Sequence, residues 1–392
     1  MKRAAGRVGV CAPLGFRAAA DACGLKKSGA LDLCVVVAEK RCPAAGTFTS
    51  NAFKAAPVLV SMRHLADGHL QAVVANAGNA NAWTGERGLE DALAMAGIAA
   101  RETGVAPEDV AVASTGVIGR YLDMERVERG IARAARRLDP SLGGEAARAI
   151  MTTDTHPKEV ALECGGFMVG GMAKGAGMIR PDMATMLAFL TTDAEVEPDA
   201  LARALRGAVE ETFNRITIDG CTSTKDMVLC LASGMSGRRP GEEELRECLR
   251  EACSELARAI VLDGEGATRF VAVRVSGAAD AEEARAAAMA VAESPLVKTA
   301  VFGGDPNWGR VVQAVGAAVK DADPHGVGVA ICGLKVAERG APLEVDEAAL
   351  AAAVSGREVV LEVALGRGEA ETEVWTCDLS YDYVRINAEY HT

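Results

Sequence analysis

Short segments rich in glycine, asparagine, threonine and aspartate interrupt the apolar pattern of this 392-residue chain. Their hydroxyl, amide and carboxylate groups could serve a nucleophile or hold a small polar substrate, and their glycines let backbone N–H groups approach a ligand closely. Each segment taken alone is more typical of a turn or a helix cap. The segments are NAGNANAWTG (76–85), STGVIG (114–119), MTTDTHPK (151–158), GGMAKGAGMIRPDMATML (170–187), DGCTSTKD (219–226), DGEGATR (263–269), GGDPNWGR (303–310) and RINAEYHT (385–392).

Taken together and in this order, the segments resemble those of the glutamate N-acetyltransferase family, also called ornithine acetyltransferases. The resemblance extends over nearly the whole chain, from GFRAAADACGLKKSG and FTSNAFKAAPV to the last residue. Its longest and most specific parts are KGAGMIRPDMATML and the ending INAEYHT. The resemblance implies an enzyme of arginine biosynthesis that transfers acetyl from N-acetylornithine to glutamate. It also implies an α/β (α+β) fold with sheets sandwiched between helices.

A self-cleavage between Ala184 and Thr185 follows from the same resemblance, with Thr185 as the nucleophile. A threonine hydroxyl is weak unless a base stands beside it, and an N-terminal threonine supplies its own α-amine. The local pattern alone is more typical of a β-branched residue that opens a buried strand. The expected pieces are 1–184, with the oxyanion hole, and 185–392, with the nucleophile. Two copies of each piece are expected to assemble.

Further site residues are implied by the resemblance, and each has a second interpretation as an ordinary structural residue. Thr115 and Gly116 are expected to stabilise the oxyanion of both cleavage and transfer, or to form only a turn at a strand end. Both substrates carry an α-carboxylate, so a cation and several neutral donors are expected. Glu265 suits the cationic side chain of ornithine, or is a solvated loop carboxylate. The residues expected to bind substrate are Thr152, Lys174, Thr185, Glu265, Asn387 and Thr392.

One segment departs from the family pattern. Where that pattern has DGDTSTND, this chain has DGCTSTKD, so Cys221 and Lys225 replace an acid and an amide. The chemistry is expected to be unchanged, but the effect on substrate preference stays open. The choice between Thr152 and Thr153 of MTTD as the substrate contact also stays open.

Composition limits the classes of function. A net charge of −12 and a pI near 5.1 argue against a nucleic-acid binder, which needs a basic surface for phosphates. No apolar run is long enough to span a bilayer and no signal-peptide core follows the basic start, so no membrane association and a cytoplasmic location are expected. The eleven cysteines and five histidines show no metal-ligand spacing, so neither a disulfide framework nor a metal site is expected. No cofactor is expected, and acetyl-CoA stays open as a second acetyl donor.

Three other functions compete with the acetyltransferase. An amidohydrolase or aminopeptidase on a similar self-cleaving scaffold would pass the acyl group to water, and dependence on an acceptor would separate the two. GGMAKGAG suggests nucleotide binding, although its spacing is neither GxGxxG nor GxxxxGK[ST]. A non-catalytic relative would be expected to lack the nucleophile or the oxyanion donors, and both are present here.

The elements that must position these residues follow from the hydrophobic pattern, in which valine-rich runs alternate with longer segments of helical period. The glycine-rich stretch Gly165–Asp182 breaks the pattern and is predicted to mark a domain or subunit seam. Strands are predicted at Leu31–Ala38, Leu70–Ala75, Asp109–Ser114, Met186–Thr192, Met227–Ala232, Arg269–Ser276, Val327–Cys332, Val359–Leu365, Glu371–Cys377 and Tyr383–Ile386. Helices are predicted at Leu89–Thr103, Met124–Leu138, Pro198–Thr212, Glu242–Leu262, Ala281–Glu293 and Arg310–Val319.

Overall fold

The computed structural model describes residues 7–180 and 186–389, which form two compact units. Unit 1 contains the described residues up to 214 together with 221–260, and unit 2 contains 215–220 and 261–389. The strands of unit 1 are β1 (Phe16–Asp21), β2 (Leu33–Phe48), β3 (His69–Asn79), β4 (Val110–Val117), β5 (Lys158–Cys164), β6 (Phe167–Lys174), β7 (Leu187–Thr192) and β8 (Met227–Ala232).

These strands form one eight-stranded sheet in the order β4-β3-β2-β8-β7-β6-β5, with β1 paired to β2. The pairs β3–β4 and β7–β8 are parallel. In this order β7 and β8, which follow the predicted cut, lie between strands that precede it, since β2 pairs with β8 and β6 pairs with β7. Cleavage at the predicted bond would therefore leave two pieces joined by backbone hydrogen bonds within a single sheet.

Helices cover both faces of this sheet. Successive side chains of a strand point to opposite faces, and β2 shows the consequence: Val35 packs in one core with α2 and α3, whereas Val36 packs in another with α4. The predicted α/β class, with sheets covered by helices, is confirmed. The helices of unit 1 are α1 (Ala56–His64), α2 (Gly85–Thr103), α3 (Met124–Ala135), α4 (Gly143–Ile150), α5 (Pro198–Glu211) and α6 (Glu242–Leu262).

Unit 2 is built on a second sheet of six strands. Val273 and Val275 pack with α7 and α9 in one core, whereas Arg274 between them is exposed and pairs with Glu373. The strands are β9 (Phe270–Ala278), β10 (Gly328–Ile331), β11 (Leu334–Glu338), β12 (Ala341–Pro342), β13 (Glu358–Ala364) and β14 (Ala370–Cys377), in the order β12-β11-β10-β13-β9-β14. The helices are α7 (Ala281–Glu293), α8 (Pro295–Gly303), α9 (Trp308–Ala318), α10 (Glu347–Val354) and α11 (Tyr381–Glu389).

Two local predictions are wrong. The strand predicted over 383–386 lies within helix α11, because the Ser380 hydroxyl accepts a hydrogen bond from Asp382 N–H and starts a helix. The glycine-rich stretch is no domain boundary, because β5, β6 and β7 pair within unit 1, whereas a subunit seam there stays a prediction. Its glycines instead allow neighbouring parts of the chain to pack closely. A Cβ on Gly170 of β6, for example, would collide with the carbonyl oxygen of Gly9.

Among the described residues one pair of cysteines is bonded, and the other nine cysteines form no disulfide. A disulfide joins Cys164, at the end of β5, to Cys248 of α6. The two cysteines are 84 residues apart, so no local spacing could indicate the bond. Within residues 7–180 and 186–389 no cluster of histidine, cysteine, aspartate or glutamate could hold a metal ion. In the same residues no helix is long and apolar enough to cross a membrane.

Candidate active site

The predicted oxyanion residues lie at the end of β4, beside its parallel neighbour β3. Thr115 is buried opposite Ala77, and Gly116 lies opposite Gly78. Gly116 has a φ of +130°, and a Cβ there would lie 2.6 Å from the backbone nitrogen of Asn79. No other residue fits this position without moving backbone, so the geometry of the strand end requires glycine.

A network of buried asparagines fixes this strand end. Ser114 Oγ donates to Asn76 Oδ1 at 2.6 Å, and Asn76 Nδ2 donates to the Asn79 carbonyl at 2.9 Å. Asn79 in turn donates to the Tyr121 carbonyl at 3.0 Å and accepts from Asn81 N–H at 2.8 Å. NAGNANAWTG thus holds the oxyanion segment in place, a role that the sequence pattern did not indicate.

Lys174, at the end of β6, belongs to a buried charged cluster. Lys158 Nζ donates to Asp154 Oδ1 at 2.7 Å, and both side chains are 0% exposed. Burial opposes ionisation of Asp154, but the nearby ammonium groups of Lys174 and Lys158 outweigh it and lower the pKa of the carboxyl to about 2. Asp154 therefore stays ionised and offsets part of the charge of Lys174. Neither Asp154 nor Lys158 was predicted to belong to the site, although both stand in MTTDTHPK.

The same carboxylate organises two neighbouring backbone segments. Thr152 N–H donates to Asp154 Oδ2 at 2.9 Å, and Gly175 N–H donates to Asp154 Oδ1 at 2.7 Å. Thr152 and Lys174, both predicted to bind substrate, therefore interact with the same buried carboxylate, Thr152 through its backbone N–H and Lys174 through its charge. Their contact with substrate stays a prediction.

Lys225 connects the oxyanion segment with Lys174. It lies in the loop before β8, is buried, and donates from Nζ to the Gly116 carbonyl at 3.3 Å. Burial and then the repulsion of Lys174 lower the pKa of its ammonium to about 8, against the opposing effect of Asp226. Three of the segments that the sequence singled out, those around 116, 174 and 225, thus meet inside unit 1.

The predicted cleavage residues Ala184 and Thr185 lie outside the described residues, as does Thr392. The described chain resumes at Met186, which is buried and whose carbonyl accepts from Met227 N–H at 3.2 Å. Leu187 then opens β7 between its partners Lys174 of β6 and Met227 of β8. The residue that follows the predicted nucleophile in the sequence is therefore anchored beside the strand that ends at Lys174.

Unit 2 brings two of the predicted substrate residues into contact. Asn387 Nδ2 of α11 donates to Glu265 Oε2 at 2.7 Å. Ser380 Oγ donates to the Gly266 carbonyl at 2.6 Å, which fixes the start of the helix against the loop of Glu265. The Glu265 carboxylate is thus held by a neighbouring amide, and its role in binding substrate stays a prediction.

Replacing Asp154 by asparagine is expected to destabilise the protein by about 3–5 kcal/mol, because the buried ammonium group of Lys158 would lose its negatively charged partner. The carboxylate's contribution should be complete above the ordinary pKa of 3.8 and lost as the pH falls through about 2, since the folded pKa is the lower one. Urea unfolding at neutral pH measures the loss. Glu125→Gln, which breaks the exposed Glu125–Arg129 pair, should cost less than about 1 kcal/mol. Equal losses in the two variants would contradict the assignment.

Comparisons of the sequence and the structure with known proteins agree on one family. The ArgJ family matches residues 17–392. The arginine biosynthesis bifunctional protein ArgJ of Symbiobacterium thermophilum is 50% identical over 98% of this chain and 98% of its own. The glutamate N-acetyltransferase of Methanopyrus kandleri is 45% identical over 94% of this chain and 97% of its own. The crystal structure of an arginine biosynthesis bifunctional protein ArgJ from Bacillus halodurans is 40% identical with a TM-score of 0.51, and the match covers 53% of this chain and 100% of that chain.

Proposed function

Because the chain belongs to the ArgJ family, we propose that it cuts itself before Thr185 and then carries an acetyl group from N-acetylornithine to glutamate on that hydroxyl. The family predicted from the sequence is confirmed, and with it the prediction of an acyltransferase enzyme of arginine biosynthesis. The Methanopyrus kandleri relative is named for acetyl transfer to glutamate. The bifunctional name of the others leaves room for acetyl-CoA as a second donor.

One observation carries the proposal: the start of β7 lies next to buried residues that could bind a carboxylate and stabilise an oxyanion. Met186 is bound to Met227, and Leu187 lies opposite Lys174. Lys225 joins the same region to Gly116. A nucleophile delivered at this strand start would therefore find a cation for a carboxylate and a glycine-rich strand end for an oxyanion.

In the cleavage step, the Thr185 hydroxyl attacks the Ala184 carbonyl carbon. A C–O bond forms and the Ala184–Thr185 C–N bond breaks. The proton of the Thr185 hydroxyl passes to the nitrogen, which becomes the α-amine of Thr185. Water then hydrolyses the ester and frees residue 184. The oxyanion that forms on the way needs aimed donors, which we assign to the Thr115 hydroxyl and the Gly116 N–H, at roughly 3–4 kcal/mol each.

Acetyl transfer repeats this chemistry on a new carbonyl. The α-amine of Thr185, with an ordinary pKa of about 7.7–8.0, takes the hydroxyl proton while the oxygen attacks the acetyl carbon of N-acetylornithine. The C–N bond of N-acetylornithine breaks, and ornithine leaves with that proton on its amine. The amine of glutamate then attacks the acetyl ester: a C–N bond forms, the C–O bond to Thr185 breaks, and a proton of the attacking amine passes through the Thr185 α-amine to restore the hydroxyl. Lys174 and Thr152 are assigned to the α-carboxylate that both substrates share. Glu265 is assigned to the cationic side chain of ornithine, and Asn387 and Thr392 stay candidate contacts of the α-carboxylate.

The order of the strands in the sheet supports cleavage into two pieces that stay associated. The predicted second piece has 392 − 184 = 208 residues, which is 53% of the chain. The Bacillus halodurans chain, matched over its whole length, covers a share of this chain of equal size, 53%. Because β7 and β8 lie between β2 and β6, the two pieces would stay together after the cut. We propose that two copies of each assemble in the cytoplasm, without a resident cofactor.

Incubating the cut protein with N-acetylornithine alone should add one acetyl mass to the 185–392 piece, because the first half-reaction ends on Thr185. Intact-mass spectrometry measures the label, and glutamate should remove it. Ornithine should be released in a burst of about one equivalent and then stop. Continuous release without glutamate would identify an amidohydrolase instead. Intersecting double-reciprocal lines together with an unlabelled piece would contradict the covalent intermediate.

A further inference from the structure

Lys225 is a buried cation that the proposed transfer does not yet use. Its side chain reaches the oxyanion segment, where Nζ donates to the Gly116 carbonyl at 3.3 Å. The residue is only 5% exposed, so little water competes for this bond. A hydrogen bond from an ammonium group is stronger than one from a neutral donor. The contact therefore fixes the backbone just after the proposed oxyanion donor.

The loop that carries Lys225 is itself held firmly. Thr49 Oγ1 donates to the Ser223 carbonyl at 2.7 Å, and Thr49 N–H donates to the Asp226 carbonyl at 3.1 Å. Lys225 N–H donates to Ser223 Oγ at 3.2 Å. These bonds lie on both sides of Lys225, so its ammonium is presented from a fixed backbone, as a pre-organised site requires.

The charges around Lys225 come from two directions. Lys174 at the end of β6 repels it, and the adjacent Asp226 attracts it. Burial, followed by the repulsion of Lys174, lowers the pKa of Lys225 to about 8. The ammonium group of Lys225, held at the Gly116 carbonyl, is a positive charge beside the oxyanion segment, and it favours an oxyanion more than it favours the neutral carbonyl that precedes it.

We propose that Lys225 is a positioning residue of the oxyanion hole, whose ammonium group holds the Gly116 carbonyl and adds positive potential where the oxyanion forms. The inference rests on the proposed function, because it takes Thr115 and Gly116 as the oxyanion donors. It goes beyond that function by giving a role to a residue at which this chain departs from the family pattern DGDTSTND. It applies to cleavage and transfer alike, since both pass through an oxyanion.

The test compares Lys225→Met, which keeps length without charge, with Lys225→Arg, which keeps charge at high pH. Wild-type kcat should rise as the Thr185 α-amine loses its proton and then fall with an apparent pKa near 8, as the Lys225 ammonium is lost. Lys225→Met should lower kcat at least about tenfold at neutral pH with KM nearly unchanged, because the effect lies in the transition state. Its self-cleavage should slow as well. Lys225→Arg should keep its activity through the alkaline range.

Exposed Lys40→Met is the matched control and should leave kcat, KM and the pH profile unchanged. Thermal unfolding of each variant shows whether it is folded, and a folded Lys225→Met with normal kcat would overturn the inference. An alkaline limb shared by the wild type and Lys225→Arg would overturn it as well. Failure of the proposed function has a different signature, because the wild-type protein itself would then stay uncut or take up no acetyl group.

Discussion

Replacing Thr185 by alanine should give a single uncut chain of 40.6 kDa with no transferase activity. The reason is that one hydroxyl serves both steps: it attacks the Ala184 carbonyl, and it later carries the acetyl group. The wild-type protein should show two bands of roughly 19 and 21.5 kDa, in proportion to their 184 and 208 residues. Intact mass and N-terminal sequencing, with threonine 185 as the new first residue, measure the cut.

Two further variants separate the hydroxyl from the shape of the side chain. Thr185→Val keeps the branched shape without the hydroxyl and should behave like Thr185→Ala. Thr185→Ser keeps the hydroxyl and should be cut, at a reduced rate. If Thr185→Val is cut like the wild type, the nucleophile is another group, and both the cleavage and the acetyl intermediate have to be reassigned.

Secondary structure was predicted correctly where a segment with a regular hydrophobic pattern ends at clear turn residues. Helix Glu242–Leu262 and strand Met227–Ala232 have the bounds that the pattern predicts. Strand β6 was missed because its glycines are required by tertiary neighbours: a Cβ on Gly170, for example, would collide with the backbone oxygen of Gly9. Helix α11 was mistaken for a strand because its start depends on one cap, the Ser380 hydroxyl.

The site was readable in part, and mainly through the family resemblance. Thr115, Gly116 and Lys174 were singled out, and the structure places Gly116 and Lys174 around Lys225. The Asp154–Lys158 pair was missed because a spacing of four residues usually indicates a solvated pair on a helix surface. Here Lys158 opens a strand, and the pair is buried. Burial of charge depends on the surrounding strands, which local sequence does not describe.

Replacing Gly116 by alanine should slow both self-cleavage and acetyl transfer by about 10²–10³-fold, the usual effect of losing an oxyanion donor. A Cβ on Gly116 would lie 2.6 Å from the Asn79 nitrogen, and the φ of +130° is itself strained for alanine. The ends of β3 and β4 must then separate, which displaces the N–H assigned to the oxyanion. KM should change little, because the lost interaction exists only in the transition state. Single-turnover acetylation and the rate of cleavage measure the two effects.

Gly119→Ala is the matched control, because it separates backbone strain from the collision between strands. Gly119 is exposed three residues further on, has a φ of +81°, and has no atom within 4 Å of a Cβ placed there. Alanine at residue 119 should therefore carry a strain of roughly 1–3 kcal/mol and leave both rates close to the wild type. Circular dichroism confirms that each variant is folded before rates are compared. If a folded Gly116→Ala cuts itself and transfers acetyl normally, the oxyanion is stabilised by groups other than this strand end, and the role assigned to Lys225 is lost with it.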